Sequence, residues 1–200
     1  MIFKLMMELK DKNFPIDYRR VILSYIKKAL SNVENGTYLS RFYKDTIQKN
    51  FCFTVEFNNP IFKKDKILLE DRNIIIKFST SDKQTGFFLQ NIFMSQINAV
   101  FKIQTDNSMT LKKIVQESKI ITIKSNKVLF KTTKGNGLCL REHDKNTNKD
   151  VYVTYQDENF EEKFKQVVGL QAQKAGFSNF ISQNIKIKAV KCKKVLVKHY

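Results

Sequence analysis

Residues 17–36 read DYRRVILSYIKKALSNVENG, and the fold turns on how this stretch is read. Tyr18, Val21, Ile22, Tyr25, Ile26, Ala29 and Leu30 recur at the helical period, while Arg20, Ser24, Lys27 and Ser31 fall on the other face. Asp17 offers an N-cap and Asn35-Gly36 a stop, so the stretch predicts an amphipathic helix with one face to bury. Upstream, residues 2–9 (IFKLMMEL) are mostly apolar and stop at the polar Asp11-Lys12-Asn13 before Pro15, which predicts a buried opening strand. Downstream, Phe51, Phe53, Val55 and Phe57 alternate with Cys52, Thr54 and Glu56, the period-two pattern of a strand covered on one face. Residues 72–80, with Ile74-Ile75-Ile76, predict its partner strand.

Residues 85–96 admit two readings: Phe88, Ile92 and Ser95 fit a helix, and Phe87-Phe88-Leu89 would also suit a strand. Helix is the reading adopted. Strands at 100–104 and 109–115 complete the order strand, helix, strand, strand, helix, strand, which is the ferredoxin-like unit. A tight turn at 116–118 then separates a first domain, 1–116, from a second, 117–200, where the pattern starts again. It runs through a strand at 120–132, a polar loop at 134–150, a strand at 151–155 and a helix at 158–175. Asp157 is expected to cap that helix, with Glu158, Glu161 and Glu162 where the helix dipole favours negative charge. Phe160, Phe164, Val167, Val168 and Ala172 form its apolar stripe before Gly176 ends it. Residues 185–189 alternate with lysines as a strand, and the phase slips near Val190 and Lys194 predict a bulge or bend. A second complete unit needs one more helix and strand, roughly 40 residues. The fold class expected is therefore α+β, with tandem ferredoxin-like (RRM-like) domains of which the second is incomplete at its C-terminus.

Two hundred residues with 42% apolar content and seventeen phenylalanines make a folded chain with a core, not a disordered one. The imbalance is in charge: 36 Lys+Arg against 19 Asp+Glu leave +17. Residues 119–134 and 186–198 carry eleven lysines and no carboxylate, so the excess lies on particular surfaces and points to a polyanion. Cys52, Cys139 and Cys192 are odd in number and widely separated, which fits buried free thiols in a reducing cytoplasm better than a disulfide framework or a zinc site. No window approaches the ~18 apolar residues of a bilayer span, so no membrane is expected. Walker, Rossmann and nucleophile-elbow signatures are missing from the sequence, and no His, Asp or Glu cluster has metal-ligand spacing. Metal-dependent hydrolysis is thereby disfavoured, and no cofactor is implied. Gly135 and Gly137 read as a turn.

Two segments hold candidate chemistry. Residues 37–50 read as a polar loop carrying Tyr38, Arg41, Tyr43, Lys44 and Lys49. It is surface decoration or a place where Arg41 and Lys44 bind phosphate and Tyr38 or Tyr43 stacks a base. His143 lies in a polar loop, as a solvated histidine or as an RNA-contacting or acid–base group, and His199 reads as packing.

The segment order resembles the CRISPR-associated repeat-RNA endoribonucleases of the repeat-associated mysterious protein superfamily. The resemblance lies in Pro15-Ile16-Asp17-Tyr18-Arg19-Arg20, the segment 38–49, Asn50-Phe51-Cys52-Phe53-Thr54-Val55 and Ile76-Lys77-Phe78-Ser79-Thr80. It continues through Ile120-Ile121, Val128-Leu129-Phe130-Lys131-Thr132 and Asp150-Val151-Tyr152. It implies a cytoplasmic enzyme that binds CRISPR repeat RNA and cuts the precursor once per repeat without metal. The 2′-hydroxyl attacks and leaves a 2′,3′-cyclic phosphate and a 5′-hydroxyl. Other CRISPR-associated subunits or a second copy of the chain are further partners it implies, and a non-cutting repeat-RNA-binding subunit of an interference complex is the alternative.

Many members carry a histidine after the first helix, and none lies between Tyr38 and Lys49. The resemblance then places catalysis on Tyr38 or Tyr43 as proton carrier or on RNA geometry, with Lys44, Lys49 or Arg41 steadying charge. His143 can replace the missing imidazole only if its loop reaches across the domain cleft. Expected RNA-binding residues are Arg19, Arg20, Lys27, Arg41, Lys124, Lys127, Lys131, Lys134, Arg141, Lys186, Lys188, Lys191 and Lys193. The family's C-terminal glycine-rich loop has no counterpart after His199-Tyr200, which is why the second domain reads as truncated.

Overall fold

A computed structural model describes residues 1–44, 49–103, 106–117, 124–132, 137–144, 146–177 and 184–194. The chain forms two compact units, Met1–Val128 and Leu129–Tyr200. In chain order the first holds β1 (Ile2–Leu9), β2 (Asn13–Pro15), α1 (Tyr18–Ser31), a 3-10 turn (Glu34–Gly36), α2 (Thr37–Tyr43) and β3 (Phe51–Phe57). It continues with β4 (Ile61–Phe62), β5 (Lys66–Leu68), β6 (Asn73–Thr80), α3 (Lys83–Met94), β7 (Val100–Lys102) and β8 (Ser108–Glu117). The second holds β9 (Leu140–Asp144), β10 (Lys149–Val153) and α4 (Phe160–Lys174).

The main sheet runs β3-β6-β1-β8-β7, antiparallel at every joint. Without the edge strand β7, this is the strand order of the ferredoxin-like unit. β1 lies at its centre because it can be covered: Phe3, Leu5, Met7 and Leu9 alternate inward and are buried. They meet α1 through Ile22, Tyr25, Ile26, Ala29 and Leu30, and α3 through Leu89, Ile92 and Phe93. Rings bind the layers, with Phe3 stacked on Phe78 at 5.2 Å and Phe93 5.0 Å from Phe78. The opposite sheet face is polar, and Glu117 there receives both Lys4 (2.6 Å) and Lys77 (3.0 Å). A small sheet, β2-β5-β4, buries Phe14 and Ile67 beside it. Among the described residues no helix is long and apolar enough to cross a membrane.

β1 and β3 have the bounds the alternation predicts, and β3 pairs with β6 as expected. Several expectations are corrected. The segment after α1 is not a loop: the chain reverses at Asn35 (φ 53°) and Gly36 (φ 81°) and forms α2, whose Phe42 buries against Phe51. Asp17 makes no side-chain cap, because its carboxylate pairs with Arg20 at 3.1 Å instead. Asp157 does not cap α4 either; it accepts from Thr154 N and Oγ1 (2.6 and 2.9 Å), and Asn159 stands at the cap. The predicted stripe of α4 is half-buried, not buried.

Residues 124–132 of the predicted strand 120–132 lie in no strand, and residues 120–123 fall outside the described ones. Residues 185–189 are likewise in no ladder, although Ile185, Ile187 and Ala189 alternate half-buried with exposed Lys186 and Lys188. Period-two patterning makes a strand only where a neighbour takes the backbone hydrogen bonds. The polar loop expected at 134–150 contains β9, which pairs with β10. Cys52, Cys139 and Cys192 are free but exposed; Cys52 sits on the outward phase of edge strand β3.

Candidate nucleic-acid interface

α2 exists because of the turn before it. The αL conformation of Gly36 lets the chain double back, Thr37 Oγ1 donates to Glu34 O (2.7 Å), and Phe42 anchors the helix in the core. The remaining side chains of α2 then point to two groups of partners.

On one side, Tyr38 and Arg41, three residues apart, meet Phe88 of α3. The Tyr38 and Phe88 rings are 5.4 Å apart, and the Arg41 guanidinium lies 5.4 Å from the Phe88 centroid and 5.8 Å from that of Phe42. The Tyr38 hydroxyl reaches Glu34 Oε1 at 3.5 Å. On the other side, Tyr43 draws two ammonium groups to its ring, Lys27 of α1 at 5.1 Å and Lys49 at 4.5 Å. Burial pushes the Tyr43 phenol up to about 12. The group is therefore a neutral hydrogen-bond donor at working pH. Lys44 is exposed at the end of α2.

The segment carrying Lys49 is tied down by its neighbour. Asn50 Nδ2 donates to Asp82 Oδ2 and Thr85 Oγ1, both at 2.8 Å, and Thr80 Oγ1 donates to the Asn50 carbonyl at 2.6 Å. Asp82 caps α3 by accepting from Gln84 N (3.0 Å). The Thr85 hydroxyl, first, then the Gln84 and Thr85 amides and the nearby Arg41 charge hold its carboxyl below the usual value. The chain next to Lys49 is thus held at the N-terminal end of α3 through Asn50.

Two further expected contacts of the first unit lie at the start of α1, away from this cluster. Arg19 donates from Nε to Tyr18 Oη (3.3 Å) and Arg20 is paired with Asp17, both at the start of α1. At 1.5 Å per residue that is roughly 11 Å along the helix from Lys27. Lys124 and Lys127 are exposed in the first unit. Lys131, Lys186, Lys188, Lys191 and Lys193 are exposed in the second, and Lys134 lies outside the described residues.

His143 belongs to the second unit, on β9 opposite Asp150 of β10. Its Nδ1 sits 2.9 Å from Asp150 Oδ1, while Arg141 Nη1 reaches Asp150 Oδ2 at 3.4 Å. A carboxylate at Nδ1 fixes the ring orientation and leaves Nε2 available, so the residue is an oriented imidazole and not a freely rotating one. Among the described residues no group of three or more His, Cys, Asp or Glu side chains is placed to hold a metal ion.

Sequence reasoning missed Phe87, Phe88, Asn50, Asp82 and Thr85 as parts of the site. The doublet Phe87-Phe88 was the available signal, since a helix turns only one of two consecutive side chains fully inward.

Three solved structures share this architecture. One is described as "CRISPR associated protein Cas6", with a TM-score of 0.59 and 17% identity over 87% of this chain and 70% of that one. The second is described as "An RAMP protein binding different RNA substrates", with a TM-score of 0.64 and 15% identity over 89% and 73%. The third comes from the characterization of a Cas6-related gene from Pyrococcus furiosus, with a TM-score of 0.57 and 16% identity over 86% and 71%. This chain has the fold of the Cas6 and RAMP proteins. That fold is α+β with tandem ferredoxin-like domains. No protein-family model matches the sequence, and no curated protein does.

Proposed function

We propose that the protein binds CRISPR repeat RNA and cuts the precursor transcript once per repeat without a metal ion. One observation carries the reading: within a fold shared with Cas6 and RAMP proteins, the helix that follows α1 gathers Lys27, Tyr43 and Lys49 in one cluster and carries Arg41 on its Phe88 side. The 2′-oxygen forms a bond to the adjacent phosphorus and the P–O5′ bond breaks, leaving a 2′,3′-cyclic phosphate and a 5′-hydroxyl. The proton of the 2′-hydroxyl passes to a base and O5′ receives one from an acid. Tyr43, kept neutral, and Tyr38 are the proton donors of the first unit; Lys27, Lys44, Lys49 and Arg41 steady the extra charge on phosphorus. His143, oriented by Asp150 within the second unit, is a separate candidate acid–base or RNA-contacting group. The lysines at 124, 127, 131, 186, 188, 191 and 193 hold the RNA backbone.

Incubation with the repeat RNA in EDTA should give a single cut and a cyclic phosphate detectable by mass spectrometry. Random cutting, or cutting that requires a divalent ion, defeats the proposal. A second reading, binding without cutting, is favoured by the lack of any histidine between Tyr38 and Lys49, which leaves the α2 cluster without an imidazole to accept a proton. Tight, repeat-specific binding with no product at any pH would select it.

A further inference from the structure

We propose that Phe87 and Phe88 of α3, with Arg41 of α2, form a stacking shelf for one unpaired RNA base whose phosphate is held by the Arg41 guanidinium. This rests on the RNA-binding reading above and names which part of an RNA the surface takes. Phe87 remains 59% exposed although burying such a ring is worth roughly 1.5–3 kcal/mol. Leu89 and Phe93 take the inward positions of this part of α3, so the Phe87 ring is left on the outer side. It does not stand alone: its centroid is 6.4 Å from that of Phe88, which in turn is 5.4 Å from Tyr38.

Charge identifies the occupant. The Arg41 guanidinium makes a cation–π contact with Phe88, 5.4 Å from its centroid, and among the described residues no carboxylate forms an ion pair with it, so its N–H groups can meet an anion. Lys83 stands one helical turn before Phe87, four residues away, and is exposed. Asp82, close enough to feel the Arg41 charge, is committed to Thr85, Asn50 and the Gln84 amide. An apolar ring bordered by cations fits a ligand that is flat on one side and anionic on the other, which describes a nucleotide. Bases inside a duplex are covered by their neighbours, so the nucleotide must be unpaired.

The test uses the full chain, a ten-nucleotide single-stranded RNA carrying one 5-iodouridine, and heparin as a polyanion without bases. Ultraviolet cross-linking is expected to mark the peptide containing Phe87 and Phe88. Phe87→Ala should weaken single-strand binding roughly 5- to 150-fold, the range of one base–aromatic stack. Heparin affinity should stay within about twofold, because heparin has only charge to offer. Phe87→Trp should restore the RNA affinity. Unchanged RNA binding by Phe87→Ala, an equal loss for heparin, or cross-links confined to other peptides would each overturn the shelf; a surface used by a protein partner gives the first of these. Cutting of repeat RNA is read separately. A protein that cross-links at Phe87 yet leaves repeat RNA whole keeps the shelf and loses the processing function, whereas normal cutting with an indifferent Phe87→Ala does the reverse.

Discussion

Tyr43 shows how much one side chain changes between sequence and structure. From the sequence it is one tyrosine among several in a polar segment, with nothing to set it apart from Tyr38. In the folded chain burial pushes its phenol up to about 12, while Lys27 and Lys49 lie over its ring at 5.1 and 4.5 Å. It therefore stays protonated through the neutral range, and the role open to it is that of a hydrogen-bond or proton donor. Tyr43→Phe should lower single-turnover cutting by ~10-fold or more, as for an acid–base group. No alkaline limb assignable to Tyr43 should appear below about pH 10, and cutting at the wild-type rate would remove Tyr43 from the reaction. The same burial acts on stability. Between the ordinary phenol value near 10 and the folded value of about 12, the native state keeps a proton that the unfolded chain has shed, so stability falls as pH rises through that window. Urea unfolding between pH 9 and 11.5 should show a shallower decline for Tyr43→Phe than for the wild type. Lys27 was legible as a solvent-face lysine of α1, but its meeting with Tyr43 depends on a reversal that local periodicity does not encode.

At the scale of the element, α2 depends on Gly36. Its φ of 81° belongs to a region where a side chain costs roughly 1–2 kcal/mol. Gly36→Ala should lower unfolding free energy by about that amount and weaken RNA binding, since α2 carries Tyr38, Arg41 and Tyr43; equilibrium urea denaturation and filter binding measure both. Full stability in that variant would mean the turn tolerates another path. Elements with continuous apolar faces were the readable ones: β1, β3 and α1 need only their own side chains to declare a buried face. β4 and β5, two and three residues long, carry too little pattern to be seen. The opposite error occurred at 124–132, where Val128, Leu129 and Phe130 suggest a strand yet Phe130 is 85% exposed. A β-rich composition does not supply the neighbouring strand.

At the scale of the whole molecule, the net charge of +17 should govern association with RNA. If about six phosphates are contacted, log K should fall against log salt with a slope near −4 for a single strand. Replacing Lys131, Lys186 and Lys188 together by alanine should flatten that slope by about 2 units; an unchanged slope would place the backbone contacts elsewhere. Acid should loosen the first unit. Hydrogen bonds hold the carboxyls of Asp11, Asp71, Asp82 and Glu117 below their ordinary values, Glu117 chiefly through Lys4 and Lys77. Their stabilising effect is present above the ordinary carboxyl range and is lost as pH falls through the lowered folded values. Urea midpoints measured from pH 6 down to pH 3 should decline accordingly, less steeply in Glu117→Gln. Sequence alone determined what is local: the periods of the main helices and strands, their βαββαβ order and the basic excess. Tertiary structure alone decided which distant side chains meet, as Arg41 and Tyr38 do with Phe88, and which apolar stretches find a ladder to join. The physical reason is that a residue's period is written in its neighbours along the chain, whereas burial and pairing are set by segments that reach it only through folding.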